Sequence, residues 1–233
     1  MLTLKVLSVL LSYPRAEMLA ALEEMAEVLQ REDLLPMPQK TALIALMDSW
    51  RGADLLDLQE RYVDLFDRGR SLSLHIFEHV HGESRDRGQA MVDLMRLYQA
   101  RGFEISAREL PDHIPLFLEY LSQQSREEAV ALLRDAMPVL SLLGARLTER
   151  QSPYSALFDA LASLAGATAS RETYRQQAAA EGPDDTLARM DEIWEEEAVS
   201  FLGNSGSCED SAAGPQPVIW GRPPHARRHR RVD

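Results

Sequence analysis

The residues best suited to chemistry lie in LFDRGRSLSLHIFEHVHGESRDRGQ, residues 65–89. Three of the six histidines, His75, His79 and His81, fall within seven residues there, beside Glu78, Glu83 and four arginines. Inside it His75-Ile76-Phe77-Glu78-His79 spells H-x-x-E-H, the metal-binding pattern of inverzincin peptidases. On a helix, positions i and i+4 share a face, so His75 and His79 could both reach one zinc, with Glu78 as general base. That chemistry also needs a third protein ligand, a Glu far downstream, and an α/β framework. Distant acidic residues such as Glu149 carry no partner motif, and strand alternation is almost absent. The alternative makes His75 and His79 packed, hydrogen-bonded side chains flanking a Leu72/Ile76/Val80 stripe.

A second candidate is Asp112-His113, within ELPDHIP. An Asp–His pair can serve a nucleophilic triad, but a triad also needs a positioned Ser or Cys. No nucleophile-elbow sequence is present, and Cys208 lies far along the chain in a Gly/Ser-rich stretch. The structural alternative is that Asp112 caps the helix that begins there, accepting from a free backbone N–H, with Pro111 and Pro115 stiffening its start. Trp194-Glu195-Glu196-Glu197 reads as a solvated acidic helix face with Trp194 packed inward. The nine methionines suit either ordinary core filling or an adaptable groove for partner helices.

The elements that must position these residues are helical. In MLTLKVLSVLLSYP the longest unbroken apolar run, Val9-Leu10-Leu11, is far too short to span a bilayer, and no small-residue cleavage site follows. A buried core helix is expected there, in a cytoplasmic protein. AEMLAALEEMAEVL places Met18, Leu22, Met25 and Leu29 on one face, as one helix. A further helix spans about 39–51, after Pro36 and Pro38. Asp54 caps the next, which carries Leu55, Leu58, Tyr62, Leu65 and Phe66 at core spacing. Gly82 and Ser84 stop and restart the chain before a helix with Met91, Leu94, Met95 and Tyr98 on one face, ending near Gly102. Two helical stretches are expected over 125–150, bent or broken before Pro138. Two more cover about 153–168 and TLARMDEIWEEEAVSFL.

The sum is an all-α single-domain helical bundle of about nine or ten helices, residues 1–202, followed by a disordered tail over 203–233. That tail is rich in Gly, Ser, Pro and Arg and cannot bury enough apolar area to offset its ordering entropy. It holds five arginines against Glu209, Asp210 and Asp233, a net of +2, which leaves −14 on the body when the chain totals −12. So acidic a body argues against nucleic acid and suits a cationic partner. One cysteine rules out an intramolecular disulfide and fits a reducing compartment.

Two long motifs, LFDRGRSLSLHIFEHVHGESRDRGQAMVDL and ELPDHIPLFLEYL, closely resemble the NarJ-type assembly chaperones, or delta subunits, of membrane-bound respiratory nitrate reductase. These belong to a wider group of molybdoenzyme chaperones with the TorD and DmsD proteins. The resemblance covers roughly residues 1–202, and the segment after Gly203 does not look like the family's C-terminus. It implies an all-α, non-enzymatic chaperone with no permanently bound cofactor and no metal. Its partner would be the catalytic subunit, bound at a segment that includes the N-terminus and held off the membrane until the molybdenum cofactor is inserted. Asp112 and His113 match the Asp–His pair associated with leader binding, and Leu65 and Phe66 close the matching Tyr62-x-x-Leu65-Phe66 motif. With the His/Glu wall and the apolar groove beside it, the expected client-binding residues are Tyr62, Leu65, Phe66, His75, Phe77, Glu78, His79, Asp112, His113 and Phe117. In that picture Asp112 stands at the groove edge and meets a client cation or polar group. A generic helical adaptor with another client, and the metalloenzyme, are the alternatives.

Overall fold

The computed structural model describes residues 1–81, 85–105, 109–167 and 171–180, all within one compact unit, Met1–Asp191. Among the described residues there are eleven α-helices, one 3-10 turn and no strand. In chain order they are α1 (Leu2–Leu10), α2 (Ala16–Ala20), α3 (Leu22–Glu32), α4 (Met37–Trp50) and α5 (Leu55–Phe66). The 3-10 turn Arg70–Leu72 follows, then α6 (Ile76–His81), α7 (Arg85–Ala100), α8 (Ile114–Ser122), α9 (Arg126–Glu149), α10 (Ser155–Ala165) and α11 (Arg171–Ala180). The all-α expectation holds. The Gly82/Ser84 stop-and-restart, the helix expected over TLARMDEIWEEEAVSFL and the tail from 203 lie outside the described residues.

The N-terminal run is a core helix. Leu4, Leu7 and Leu10 are fully buried, and the Ser8 hydroxyl donates to the Pro115 carbonyl of α8 at 2.7 Å. The first turn of α1 has no cap of its own. Its Leu2 and Thr3 N–H groups donate instead to the Glu32 carboxylate at the end of α3, at 2.8 and 2.6 Å. Asp54 caps α5 as its sequence signals, accepting from the Leu56 and Asp57 N–H groups at 2.8 and 3.4 Å. Gly102, at φ +73°, follows the end of α7 in the left-handed conformation that glycine adopts most readily.

Two helix expectations are corrected. The 16–29 segment is not one helix but two, parted at Ala21; Met18, Leu22, Met25 and Leu29 nonetheless all turn inward. The 125–150 segment is one unbroken helix of 24 residues with Pro138 inside it. An interior proline costs about 3 kcal/mol, but Leu133, Met137, Leu140, Leu143 and Leu147 are all buried along this helix. Burying each such side chain contributes about 1.5–3 kcal/mol, which outweighs that cost.

α9 is the axis of the fold, packed against α10, α11 and α8 and against the segment around α6. Its crossing with α10 is so close that a Cβ at Gly144 would lie 2.9 Å from Phe158 Cβ. Two aromatic clusters complete the core. Tyr62, Phe66 and Tyr154 meet with ring centroids 5.0–6.5 Å apart, and Tyr98, Phe103 and Tyr120 meet at 4.5–6.0 Å. No helix among the described residues is long and apolar enough to cross a membrane.

Candidate functional site

Neither α6 nor α8 caps itself with the residue that precedes it. His75 stands before α6 and His113 before α8, and the His113 side chain makes no cap bond. Each lead-in instead serves the other helix. Ile114 N–H donates to the Leu74 carbonyl at 2.8 Å, and Ile76 N–H donates to the Asp112 carbonyl at 3.1 Å, which places His75 opposite His113. The Asp112 carboxylate adds a third link, accepting from Phe77 N–H at 3.0 Å. That N–H is one of the free donors of the first turn of α6, so a carboxylate from the α8 lead-in does the work of an N-cap. The Tyr98 hydroxyl, donating to the Pro111 carbonyl at 2.8 Å, pins the same lead-in from behind.

Asp112 was expected to cap its own helix and to stand at a groove edge. Both expectations are corrected. Its carboxylate caps α6, and it is fully buried, at 0% exposure. Its imidazole partner is His75, with Nδ1 3.2 Å from Oδ1, and not the adjacent His113.

A cleft of about 360 Å³ opens on the solvent side of this joint. Tyr62, Phe66 and Leu74 form its apolar end; Asp67, Arg68, Ser73, His75, Glu78 and His113 supply polar walls. Tyr62 is held in place by its hydroxyl, which donates to the Leu11 carbonyl at 2.9 Å. The two imidazoles lie near each other, ring centroids 5.3 Å apart, in opposite electrostatic settings. The Asp112 hydrogen bond raises the His75 pKa above the ordinary histidine value, against the opposing effect of burial. Burial lowers that of His113, against the attraction of Glu109. Burial pushes the Glu78 carboxyl up, but Ser73, the Arg87 guanidinium 3.1 Å away and His75 outweigh it and hold it below the usual range.

Of the ten expected residues, the structure brings Tyr62, Phe66, His75, Glu78 and His113 to the cleft wall. Asp112 lies behind it. Leu65 is half-buried against the core, and Phe117 is buried within it. Phe77 is half-buried with its ring 5.8 Å from that of His81. The Leu72/Ile76/Val80 stripe holds for Leu72 and Ile76, but Val80 is 56% exposed. The Asp67–Arg70 loop also lines the cleft; it lies within the 65–89 stretch, but none of its residues is among the ten.

His79 is turned away from His75. Its Nε2 lies 2.8 Å from the Ser73 carbonyl, an oxygen that can only accept, so Nε2–H donates. Its Nδ1 then faces the Arg146 guanidinium at 3.4 Å. Since His75 precedes α6 rather than lying on it, the i, i+4 geometry required for a shared zinc is not formed. Among the described residues no three His, Cys, Asp or Glu side chains gather so as to hold a metal ion.

With this geometry in place, comparison with known proteins assigns the chain. The profile of the family described as nitrate reductase delta subunit matches residues 12–160. The nitrate reductase molybdenum cofactor assembly chaperone NarJ of Escherichia coli K12 is 47% identical over 212 residues, covering 91% of this chain and 89% of that protein. NarW of the same strain, named a probable nitrate reductase molybdenum cofactor assembly chaperone, is 45% identical over 209 residues, covering 90% of this chain and 87% of that protein. A crystal structure of an Archaeoglobus fulgidus protein assigned to redox enzyme maturation superposes with a TM-score of 0.50 over 68% of this chain and 88% of that one. At 22% identity it speaks for the fold alone. The all-helical fold and the near-full-length identity agree: this chain belongs to the nitrate reductase delta subunit family.

Proposed function

We propose that this protein is a dedicated assembly chaperone of membrane-bound respiratory nitrate reductase. It binds the catalytic subunit, including its N-terminal segment, and holds it for molybdenum cofactor insertion before membrane docking. The observation that carries this reading is the near-full-length likeness to the Escherichia coli chaperone. The molybdenum cofactor belongs to the client, and the chaperone has no catalytic role of its own. The protein works in the cytoplasm, where the client is assembled.

The client segment enters as an amphipathic helix or extended strand, its apolar side chains against Tyr62, Phe66 and Leu74 and its polar groups toward His75, Glu78 and His113. The acidic body speeds the encounter with a cationic segment. The test is calorimetric titration of the full-length chain with a peptide carrying the N-terminal segment of the catalytic subunit. Affinity in the low micromolar range or tighter, about −8 kcal/mol or better, is expected. No heat, and no co-purification of the chain with the catalytic subunit, would refute the proposal and leave a helical adaptor for another client.

A further inference from the structure

Asp112 bears the sequence signature of a contact residue but occupies the position of a support. It is fully buried and its two carboxylate oxygens are both committed inward. Oδ2 accepts from Phe77 N–H at 3.0 Å, and Oδ1 faces His75 Nδ1 at 3.2 Å. A client cation meeting this carboxylate would first have to displace the first turn of α6. His75 is placed differently. A quarter of its side chain is exposed, it lines the cleft, and with Nδ1 turned to Asp112 the outward end of the ring is Nε2. That nitrogen has no hydrogen-bond partner among the described residues.

We propose that Asp112 is a positioning residue for client recognition: from behind the cleft it fixes the His75 ring and the first turn of α6, and the protonated His75 ring donates from Nε2–H to an oxygen acceptor of the client segment. This rests on the chaperone function proposed above. A carboxylate that accepts from Nδ1–H fixes the ring orientation; the neutral ring then presents Nε2 as an acceptor, whereas the protonated ring, which the adjacent negative charge favours, presents Nε2–H to the cleft as a charged donor. The groups facing His75 are Asp112 from the α8 lead-in, Glu78 of α6, Arg87 of α7 and His113. Arg87 opposes a charge on His75 but is itself bonded to Glu78 at 3.1 Å. The acceptor on the client is a carboxylate or a main-chain carbonyl.

The experiment is a double-mutant cycle on the full-length chain with the N-terminal peptide of the catalytic subunit as probe. Asp112→Asn keeps an oxygen to accept from Phe77 N–H but removes the negative charge beside His75; His75→Gln replaces the charged imidazolium donor with a neutral amide. Each single variant is expected to bind roughly tenfold more weakly, the worth of one charge-assisted hydrogen bond, and the double variant no more weakly than His75→Gln. Losses that multiply in the double variant, or Asp112→Asn binding like wild type, would overturn the proposal. Should Asp112→Asn fail to fold, His75→Gln alone decides, since wild-type affinity there removes the charged donor from the interface. A second readout needs no client: the NMR titration of the His75 ring is expected to move to lower pH in Asp112→Asn, and an unmoved titration refutes positioning through His75. Wild-type protein that ignores the peptide while that titration does move refutes the chaperone reading instead. Repeating the cycle with a peptide whose carboxylates are replaced by amides identifies the acceptor: a vanished coupling marks a side-chain carboxylate, a persistent one a main-chain carbonyl.

Discussion

His75 Nδ1 lies 3.2 Å from Asp112 Oδ1 although 37 residues separate them, while His113, next to Asp112 in the chain, points its ring elsewhere. The same carboxylate closes the first turn of α6. Asp112→Ala therefore removes a helix cap and a charge-assisted hydrogen bond from a fully buried position. A cap is worth about 1 kcal/mol and such a bond about 1.5–3 kcal/mol, less the relief of desolvating the carboxylate, for a net loss of about 2 kcal/mol. Asp112→Asn keeps the cap acceptor and should lose less. Urea unfolding of the two variants at neutral pH measures both.

The paired imidazoles give opposite pH dependences. The His75 pKa is raised on folding, so its contribution is fully present below the ordinary value of about 6.5 and is lost as pH rises through the folded value. The His113 pKa is lowered, so the folded state binds fewer protons there, and stability falls as pH drops through about 6.5 toward the folded value. His113→Gln should therefore lose less stability than wild type on acidification, and His75→Gln should lose more. Unfolding midpoints measured from about pH 5 to about pH 8 test both signs.

Much of this architecture is legible locally. Helical periodicity finds α1, α4, α5, α7 and α10, and Asp54 caps α5 because an N-cap needs only its own first turn. The features that escape are non-local. Glu32 caps α1 across 29 or 30 residues and Asp112 caps α6 across 35, and no window of sequence contains both donor and acceptor. Pro138 is a helix breaker in isolation, and only the packing of α9 against its neighbours reverses that. For the site, Tyr62, Phe66, His75 and Glu78 of the motif around residues 62–79 line the cleft, and Leu65, Phe77 and His79 do not. Which side chains face it depends on where α6 begins: one residue after His75, so that His75 and His79 part company.

Gly144 tests the packing at the fold's axis. Gly144→Ala gains roughly 1 kcal/mol of helix propensity, but its Cβ would lie 2.9 Å from Phe158 Cβ. That atom is fixed to the α10 backbone and cannot swing aside, so α9 and α10 must separate. Overpacking of this kind costs about 1–3 kcal/mol, giving a net destabilisation of up to about 2 kcal/mol. Thermal unfolding followed by circular dichroism measures it, and an unchanged or raised Tm would mean that the two helices can part freely.

Arg146 ties α9 to the back of the cleft. Its guanidinium donates to the Ser71 carbonyl at 2.7 Å and approaches His79 Nδ1 at 3.4 Å, while His79 Nε2–H holds the Ser73 carbonyl. Two carbonyls of the segment leading to His75 are thus gripped from outside it, one by α9 directly and one through His79. Arg146→Ala removes the first grip and releases the second, at a cost of about 1.5 kcal/mol concentrated in this segment. Local opening there should become roughly tenfold more frequent while α1 and α10 keep their protection. Hydrogen exchange over residues 70–80 reads this directly; acceleration spread evenly over the whole chain would show instead that Arg146 supports global stability rather than the cleft wall.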